Sequence, residues 1–545
     1  MTACHLPPRG IRGVYRDDPT ARAVYSEAAG IGRIVPAAVC VPIDADDVIA
    51  IVRWAGERSL PIVPRGSGTS MGGGAIGPGL IMDLSAINHI GEVDVESRSI
   101  WVGPGALRGA VNDAASMHGL RFPVDPSSGK YCTIGGMVST NAAGARTLRF
   151  GATRPWVRAL DCVFDDGSRA TITRGDTEPQ GIPAIERFLA GARDLLIAGG
   201  KSTFLRHEGV RKESSGYGVD AYAASGDLID LLVGSEGTLA VIVGVRLSLL
   251  ELPGATSGVL AAFALLDDAV AAAAVARERG ANACELLDRT FLDVAAGSAA
   301  TAEIPIGTEA VLLSEVEGDT AEIVTDAARA LAVAFSDAGA TATRVATGAD
   351  DAHEIWELRH AASPILSRLD PALKSMQFIE DGAVPPQHLA AYVLGVRQAL
   401  DVHGIRGVIF GHAGDAHMHV NPLIDVSRED WREKVTALLD DIVKLTSRLG
   451  GTLAGEHGDG RLRTPLLERM WPAETLRLFA LVKSTFDPHG VFNPGVKVPL
   501  AGQRPLGDIK YDPGLAPLPP AARAALDLVT AERAYARPRL SLLGE

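Results

Sequence analysis

The stretch Arg65-Gly66-Ser67-Gly68-Thr69-Ser70-Met71-Gly72-Gly73-Gly74-Ala75 constrains the fold more than any other part of this chain. Five glycines in eleven positions exclude a regular helix or strand there, and without Cβ atoms successive backbone N–H groups can turn toward one anion, as a pyrophosphate requires. The flanks set the context. Ala45 to Arg58 carries apolar residues at Val48, Ile51, Val52 and Ala55, the spacing of an amphipathic helix with Asp44 or Asp46 as its cap. Strand-like runs follow at Leu60 to Val63 and Leu80 to Leu84, so helix, strand, glycine loop and strand predict an α+β arrangement. Methionine at position 71, where a Rossmann fingerprint has its third glycine, excludes that motif. A flexible surface turn is the competing reading of glycine density alone.

Two further clusters favour the anion. Asp125-Pro126-Ser127-Ser128 and Thr133-Ile-Gly135-Gly136-Met-Val-Ser139-Thr-Asn141-Ala-Ala-Gly144 form the second, and Gly234-Ser-Glu236-Gly237-Thr-Leu239 the third. Three such loops suit a long dinucleotide. In this order and spacing, PRGSGTSMGGGA, TIGGMVSTNAAG and GSEGTLA resemble the FAD domain of the vanillyl-alcohol oxidase and p-cresol methylhydroxylase (PCMH) superfamily, over roughly Pro36 to Pro499. The resemblance implies a two-subdomain PCMH-type FAD-binding domain followed by an α+β FAD-linked oxidase C-terminal domain. It also implies cofactor contacts at Arg65 to Ser70, Gly72, Gly73, Pro126, Ser127, Thr133, Gly135, Gly136, Ser139, Asn141, Gly144, Glu236, Gly237, Val241 and Asn493. Some members attach flavin through a histidine in the first loop; this loop has none, so the expectation is non-covalent FAD.

A second constellation lies downstream. Val408 to Val420, VIFGHAGDAHMHV, reads as two short strands around a Gly-Asp turn, which puts His417 and His419 on one face with His412 opposite. Gly455-Glu456-His457-Gly458-Asp459-Gly460-Arg461 adds a carboxylate and an imidazole, which can share one site only if the glycines bend the backbone. Each histidine alone reads as a hydrogen-bonded core residue. Four within 46 positions, of 13 in the chain, read as a site, and two imidazoles with one carboxylate are a common set for a catalytic divalent metal.

GHAGDAHMH and GEHGDGR resemble paired motifs of D-lactate dehydrogenases, the glycolate oxidase flavin subunit and D-2-hydroxyglutarate dehydrogenases. That resemblance implies that His412, His419 and Glu456 hold Zn or Mn and that His457 is the base. Members usually have asparagine where this chain has His417, which leaves open an extra ligand, a substrate contact or neither. It also implies a substrate-carboxylate arginine at Arg359, in Ile-Trp-Glu-Leu-Arg, with Lys374 a weaker candidate; a solvated helix charge is the competing reading of Arg359. The segment Gln377 to Pro385 resembles an element of longer relatives that carry an iron-sulfur domain. The expected acceptor is therefore separate, a quinone, cytochrome or iron-sulfur protein.

Bulk properties narrow the class. At 545 residues the chain exceeds one core, and the expected divisions are an N-terminal segment (1–35), an FAD-binding domain (36–252), a substrate and metal domain (253–499) and a Pro/Gly-rich tail (500–545) that wraps the surface or meets a partner. A net charge of −14 argues against nucleic acid. The amino terminus lacks the apolar run of an export signal, and Asp267 and Asp268 interrupt the greasiest stretch, so the expectation is a cytoplasmic protein without a transmembrane segment, or one peripheral at the membrane. Cys4, Cys40, Cys132, Cys162 and Cys284 form no CxxC pair. The reading is an FAD-dependent dehydrogenase of a small D-2-hydroxy acid, D-lactate foremost. Glycolate adds nothing beyond the reacting carbon, whereas D-2-hydroxyglutarate needs a second cation such as Arg461 or Arg463. A passive flavin subunit and a zinc hydrolase are the competing classes, and a homodimer is left open.

Overall fold

Asp44 caps the helix Ala45–Gly56, its side chain accepting from Asp47 N–H, while Val48, Ile51, Val52 and Ala55 face inward as their spacing predicts. The computed structural model describes residues 8–200, 205–295, 304–346, 348–360 and 372–544. Cys4 lies outside them, as does the start of the segment examined for an export signal. In the first sheet Ala38–Val41 and Ile62–Arg65 run parallel to Leu80–Asp83 on either side, and Val14–Arg16 closes one edge antiparallel. The glycine loop thus leaves the carboxyl end of Ile62–Arg65, at the rim of that sheet.

The second sheet is antiparallel, in the order Ile90–Asp94, Ser99–Val102, Val241–Ser248, Val157–Val163, Arg169–Thr173. Between Ile100 and Leu250 these strands alternate with helices, among them Ile134–Thr140 and Pro183–Gly191. Their local signals are clear: Thr133 caps the first through Gly136 N–H, and proline occupies the first turn of the second, where no N–H is needed.

The third sheet has the order Ala340–Val345, Ala255–Phe263, Ala310–Gly318, Ala283–Asp288, Arg406–His412, His417–Asp425, Leu373–Ser375. The alanine-rich helices Leu266–Glu278 and Ala321–Asp337 pack on it through Ala272, Ala276, Leu331 and Phe335. Strands change from the first two sheets to the third between Glu251 and Ala255. Arg146 joins the two regions, forking the carboxylate of Glu315 at 2.6 and 2.7 Å and pairing with Asp125. Among the described residues no helix is long and apolar enough to cross a membrane. Cys40, Cys132, Cys162 and Cys284 are each buried as free thiols.

After Pro499 the chain packs back on its own first sheet. Ile509 bridges Gly32, and a helix, Pro520–Glu532, lays Ala522, Ala525 and Leu526 against Ala23 and Val24.

Candidate active site

Arg406–His412 and His417–Asp425 pair antiparallel with His412 opposite His417 and Phe410 opposite His419. The residues between them make a tight 3-10 turn that ends on Ala416 in the left-handed region. Period-two alternation puts His417 and His419 on one face, and the ring centroids of His412, His417 and His419 lie 4.7 to 5.3 Å apart. The third wall is the irregular segment around Glu456. Asp381 shapes it, its carboxylate accepting from Glu456 N–H at 3.1 Å and His457 N–H at 3.0 Å. Gly460 has φ +52°, and a Cβ there would sit 1.9 Å from the Gly72 carbonyl oxygen, so only glycine permits this backbone contact with the first glycine loop.

The donor geometry is specific. His412 Nε2 lies 3.3 Å from His419 Nε2 and 3.4 Å from Glu456 Oε1, and His419 Nε2 lies 3.5 Å from the same oxygen. Ligands at three corners of a tetrahedral zinc site with bonds near 2.05 Å are separated by about 3.3 Å. The opposite nitrogens are occupied: His412 Nδ1 meets Glu285 at 2.5 Å, and His419 Nδ1 meets the Glu380 carbonyl at 2.8 Å. When Nδ1–H donates in this way, the Nε2 lone pairs converge on one point, the arrangement that second-layer partners impose on metal-binding histidines. The three residues therefore fit a divalent metal.

Charge supports that fit. Burial pushes the His419 imidazole down, but Glu380 and Glu456 outweigh it and raise it to about 10. His457 behaves alike: burial opposes and Glu380 and Asp381 prevail, raising it to about 9. Glu456 is held well below the usual carboxylate range against burial, chiefly by Lys212 and His412. Buried carboxylates here draw positive charge from imidazole protons, charge that a divalent cation would supply instead.

His457 stands beside this triangle with its side chain a quarter exposed. Its Nδ1 meets Glu380 Oε2 at 2.7 Å and its Nε2 lies 3.5 Å from Glu456 Oε1. His417 is fully buried, bonded through Nε2 to Asp381 at 2.8 Å, with Nδ1 unpartnered and 4.0 Å from Glu456 Oε2. It is not among the residues that line the cavity. Arg359 does line the cavity; its Nε donates to Glu285 at 2.5 Å, and among the described residues Nη1 and Nη2 have no hydrogen bond. The other candidate cations are placed elsewhere. Lys374 lies over the Tyr511 ring, Arg461 binds Asn493 and the Pro494 carbonyl, and Arg463 pairs with Glu380 and the Gly458 carbonyl; none lines the cavity.

One cavity of about 560 Å³ connects His419, Glu456 and His457 with all three glycine clusters. Its walls include Arg65 to Ser70, then Pro126, Ser127, Thr133, Gly135, Gly136 and Ser139, then Glu236 and Gly237. The Ser70 hydroxyl is buried without a partner among the described residues, a donor suited to an anionic oxygen, so the cavity fits FAD. Several expected contacts stand behind the wall. Gly72 and Gly73 face the 458–461 turn, Val241 lies between lining residues Ala240 and Ile242, and Gly144 receives Lys212 on its carbonyl. Asn141 is a left-handed helix cap whose side chain accepts from Arg154 N–H, because a seven-residue helix must end there. Asn493 donates to the carbonyls of Gly74 and Glu236, bracing loops that do the lining. Two lining residues also turn their charge elsewhere. Arg65 donates to the carbonyls of Tyr25, Glu27 and Ala75, and the Glu236 carboxylate accepts from Asp459 and Gly460 N–H and pairs with Lys497.

Sequence reasoning missed four supporting residues. Glu285 bridges His412 and Arg359, and its signal was a charge inside the apolar strand Ala283–Asp288. Glu380 and Asp381 stood in a noticed segment without an assigned role. Lys212, fully buried and 3.2 Å from Glu456, carried no local signal.

Residues 252–496 match the family described as FAD linked oxidases, C-terminal domain, and residues 36–173 match the FAD binding domain. The chain is 30% identical over 486 residues to glycolate oxidase subunit GlcD of Bacillus subtilis (strain 168), covering 88% of this chain and 93% of that one. It is also 30% identical over 485 residues to D-lactate dehydrogenase of Archaeoglobus fulgidus, covering 88% and 94%. The solved structure of p-cresol methylhydroxylase with substrate bound superposes with a TM-score of 0.65 at 14% identity, over 90% of this chain and 94% of that one; this likeness concerns the fold.

Proposed function

The chain belongs to the FAD-linked oxidase family, and from that premise we propose that it is an FAD-dependent dehydrogenase of a small D-2-hydroxy acid, D-lactate foremost, yielding the 2-oxo acid. The observation that carries this reading is the His412, His419 and Glu456 triangle opening, beside His457, into the cavity lined by the glycine loops. His412, His419 and Glu456 would hold a divalent ion, Zn or Mn. Such an ion would supply Lewis acidity toward the substrate hydroxyl, and FAD would supply the acceptor for hydride from the adjacent carbon.

The protein's own residues do the rest. Glu380 holds His457 Nδ1–H, and with a bound cation supplying the charge that the carboxylates otherwise draw from imidazole protons, a neutral Nε2 would take the hydroxyl proton. Glu285 holds Arg359 by Nε and leaves the fork nitrogens for the substrate carboxylate. Among the described residues Arg359 is the cation on the cavity wall at this end, which favours one carboxylate, as in D-lactate or glycolate, over the two of D-2-hydroxyglutarate. The electrons pass to a separate acceptor, a quinone, cytochrome or iron-sulfur protein.

Anaerobic reduction of the bound flavin by D- and L-2-hydroxy acids tests this. D-lactate is expected to bleach the visible band and L-lactate to leave it; a chelator abolishes bleaching and Zn or Mn restores it. A colourless protein would place it with metal hydrolases. A yellow protein that no D-2-hydroxy acid reduces would make it a passive flavin subunit.

A further inference from the structure

The family match ends at residue 496, yet the chain beyond it contributes to the cavity. Lys510 N–H bonds to the Ile31 carbonyl, the Pro520–Glu532 helix docks on the first sheet side, and Lys510, Tyr511, Thr530, Arg533 and Tyr535 line the same cavity as the Gly66–Ser70 loop. Behind them Arg539, 3% exposed, lies over the Tyr535 ring and donates from Nη2 to the Ser67 carbonyl at 3.4 Å. Its Nε and Nη1 are buried and have no hydrogen-bond partner among the described residues.

Positive charge is in excess here. Lys510 donates to the carbonyls of Ala28 and Ala29, and neither it nor Arg539 nor Arg65 has an ion pair among the described residues. The nearest buried carboxylates are engaged: Asp83 with Tyr25 and Ser85 N–H, and Glu27 with Arg33 and Arg523. Burial and the neighbouring guanidinium of Arg65 depress Arg539 to about 10, and burial lowers Lys510. Two buried guanidiniums, Arg65 and Arg539, and the half-buried Lys510 ammonium around one loop favour an anion that balances them.

We propose that residues 509–543 form a strap that completes the nucleotide end of the cavity, Lys510 and Arg539 supplying the charge that balances the FAD pyrophosphate over the Gly66–Ser70 loop. The inference rests on FAD occupying this cavity. Backbone N–H groups of the loop would meet the phosphate oxygens, and the strap would contribute the charge that the loop lacks.

The test uses full-length apoprotein titrated with FAD, ADP and riboflavin, read by flavin fluorescence and, for ADP, calorimetry. Lys510→Met and Arg539→Met are each expected to weaken FAD and ADP about 10- to 100-fold, the range for a charge-assisted contact, with riboflavin, which has no pyrophosphate, within about twofold of wild type. FAD affinity within twofold of wild type in both variants overturns the proposal, as does an equal loss of riboflavin. In the unaltered protein, ADP should slow proteolysis within 500–545; cleavage indifferent to ADP also overturns it. Wild-type apoprotein that binds no FAD would instead refute the flavin reading itself.

Discussion

The two ends of the cavity are built from different material. At the nucleotide end glycines contribute much of the wall, with Gly66, Gly68, Gly135, Gly136 and Gly237 leaving main-chain groups uncovered beside the carboxy-terminal Lys510, Tyr511 and Tyr535. At the reactive end the wall is side chain: His419, Glu456, His457 and Arg359, each held by a second buried residue. Backbone donors are oriented by the fold and depend little on any one side chain. Convergent imidazoles and carboxylates depend on the position of every member, because a metal bond tolerates errors of only about 0.2 Å.

The comparison predicts that reactive-end variants lose chemistry while keeping flavin. The largest effect is expected for Glu456→Ala, which removes a corner of the triangle and leaves Lys212 buried without its nearest carboxylate. Turnover should fall by at least about 10⁴-fold, beyond what one general base contributes, and metal analysis should find the ion lost while the visible flavin spectrum persists. His457→Gln should lower kcat by about 10²- to 10⁴-fold with metal and flavin both retained, which separates the base from the ligands. If it loses the metal as well, His457 is a ligand and the assignment must be redrawn.

Arg359→Met sharpens the comparison within the reactive end. It should raise KM for D-lactate about 10- to 100-fold, with a smaller effect on kcat, in steady-state assays. Glu285→Gln tests the second layer, since Glu285 orients both His412 and Arg359. Metal affinity measured against a competing chelator should fall about 10- to 100-fold, and added metal should restore most turnover. An unchanged affinity would mean that the strand pair alone positions His412.

Much of the fold was legible because its signals are local. The Ala45–Gly56 helix, the strands on either side of the glycine loop, and the paired strands carrying His412, His417 and His419 follow from periodicity, capping and turn chemistry. The residues of the triangle stood out for the same reason, His412 and His419 lying close together on one hairpin and Glu456 in a glycine-bent segment. Other parts were not. The family resemblance assigns Asn141 and Asn493 to the cofactor; that the Asn141 side chain meets Arg154 N–H and the Asn493 side chain the carbonyls of Gly74 and Glu236 is set by side-chain direction, which no local pattern gives. Arg461 and Arg463 follow the Glu456 segment directly, but their guanidiniums turn to the Asn493 side chain and to Glu380.

By itself the sequence determined which groups could bind a phosphate or a metal, since glycine, imidazole and carboxylate carry those capacities wherever they stand. Only the tertiary structure decided which of them meet. Lys212 and Glu456 are 244 positions apart, and Glu285 reaches His412 across 127, so these contacts are products of sheet order and packing. The same holds for the carboxy-terminal segment, which reads locally as a Pro/Gly-rich tail and whose Lys510 and Tyr511 join the cavity wall only because the chain returns to its first sheet.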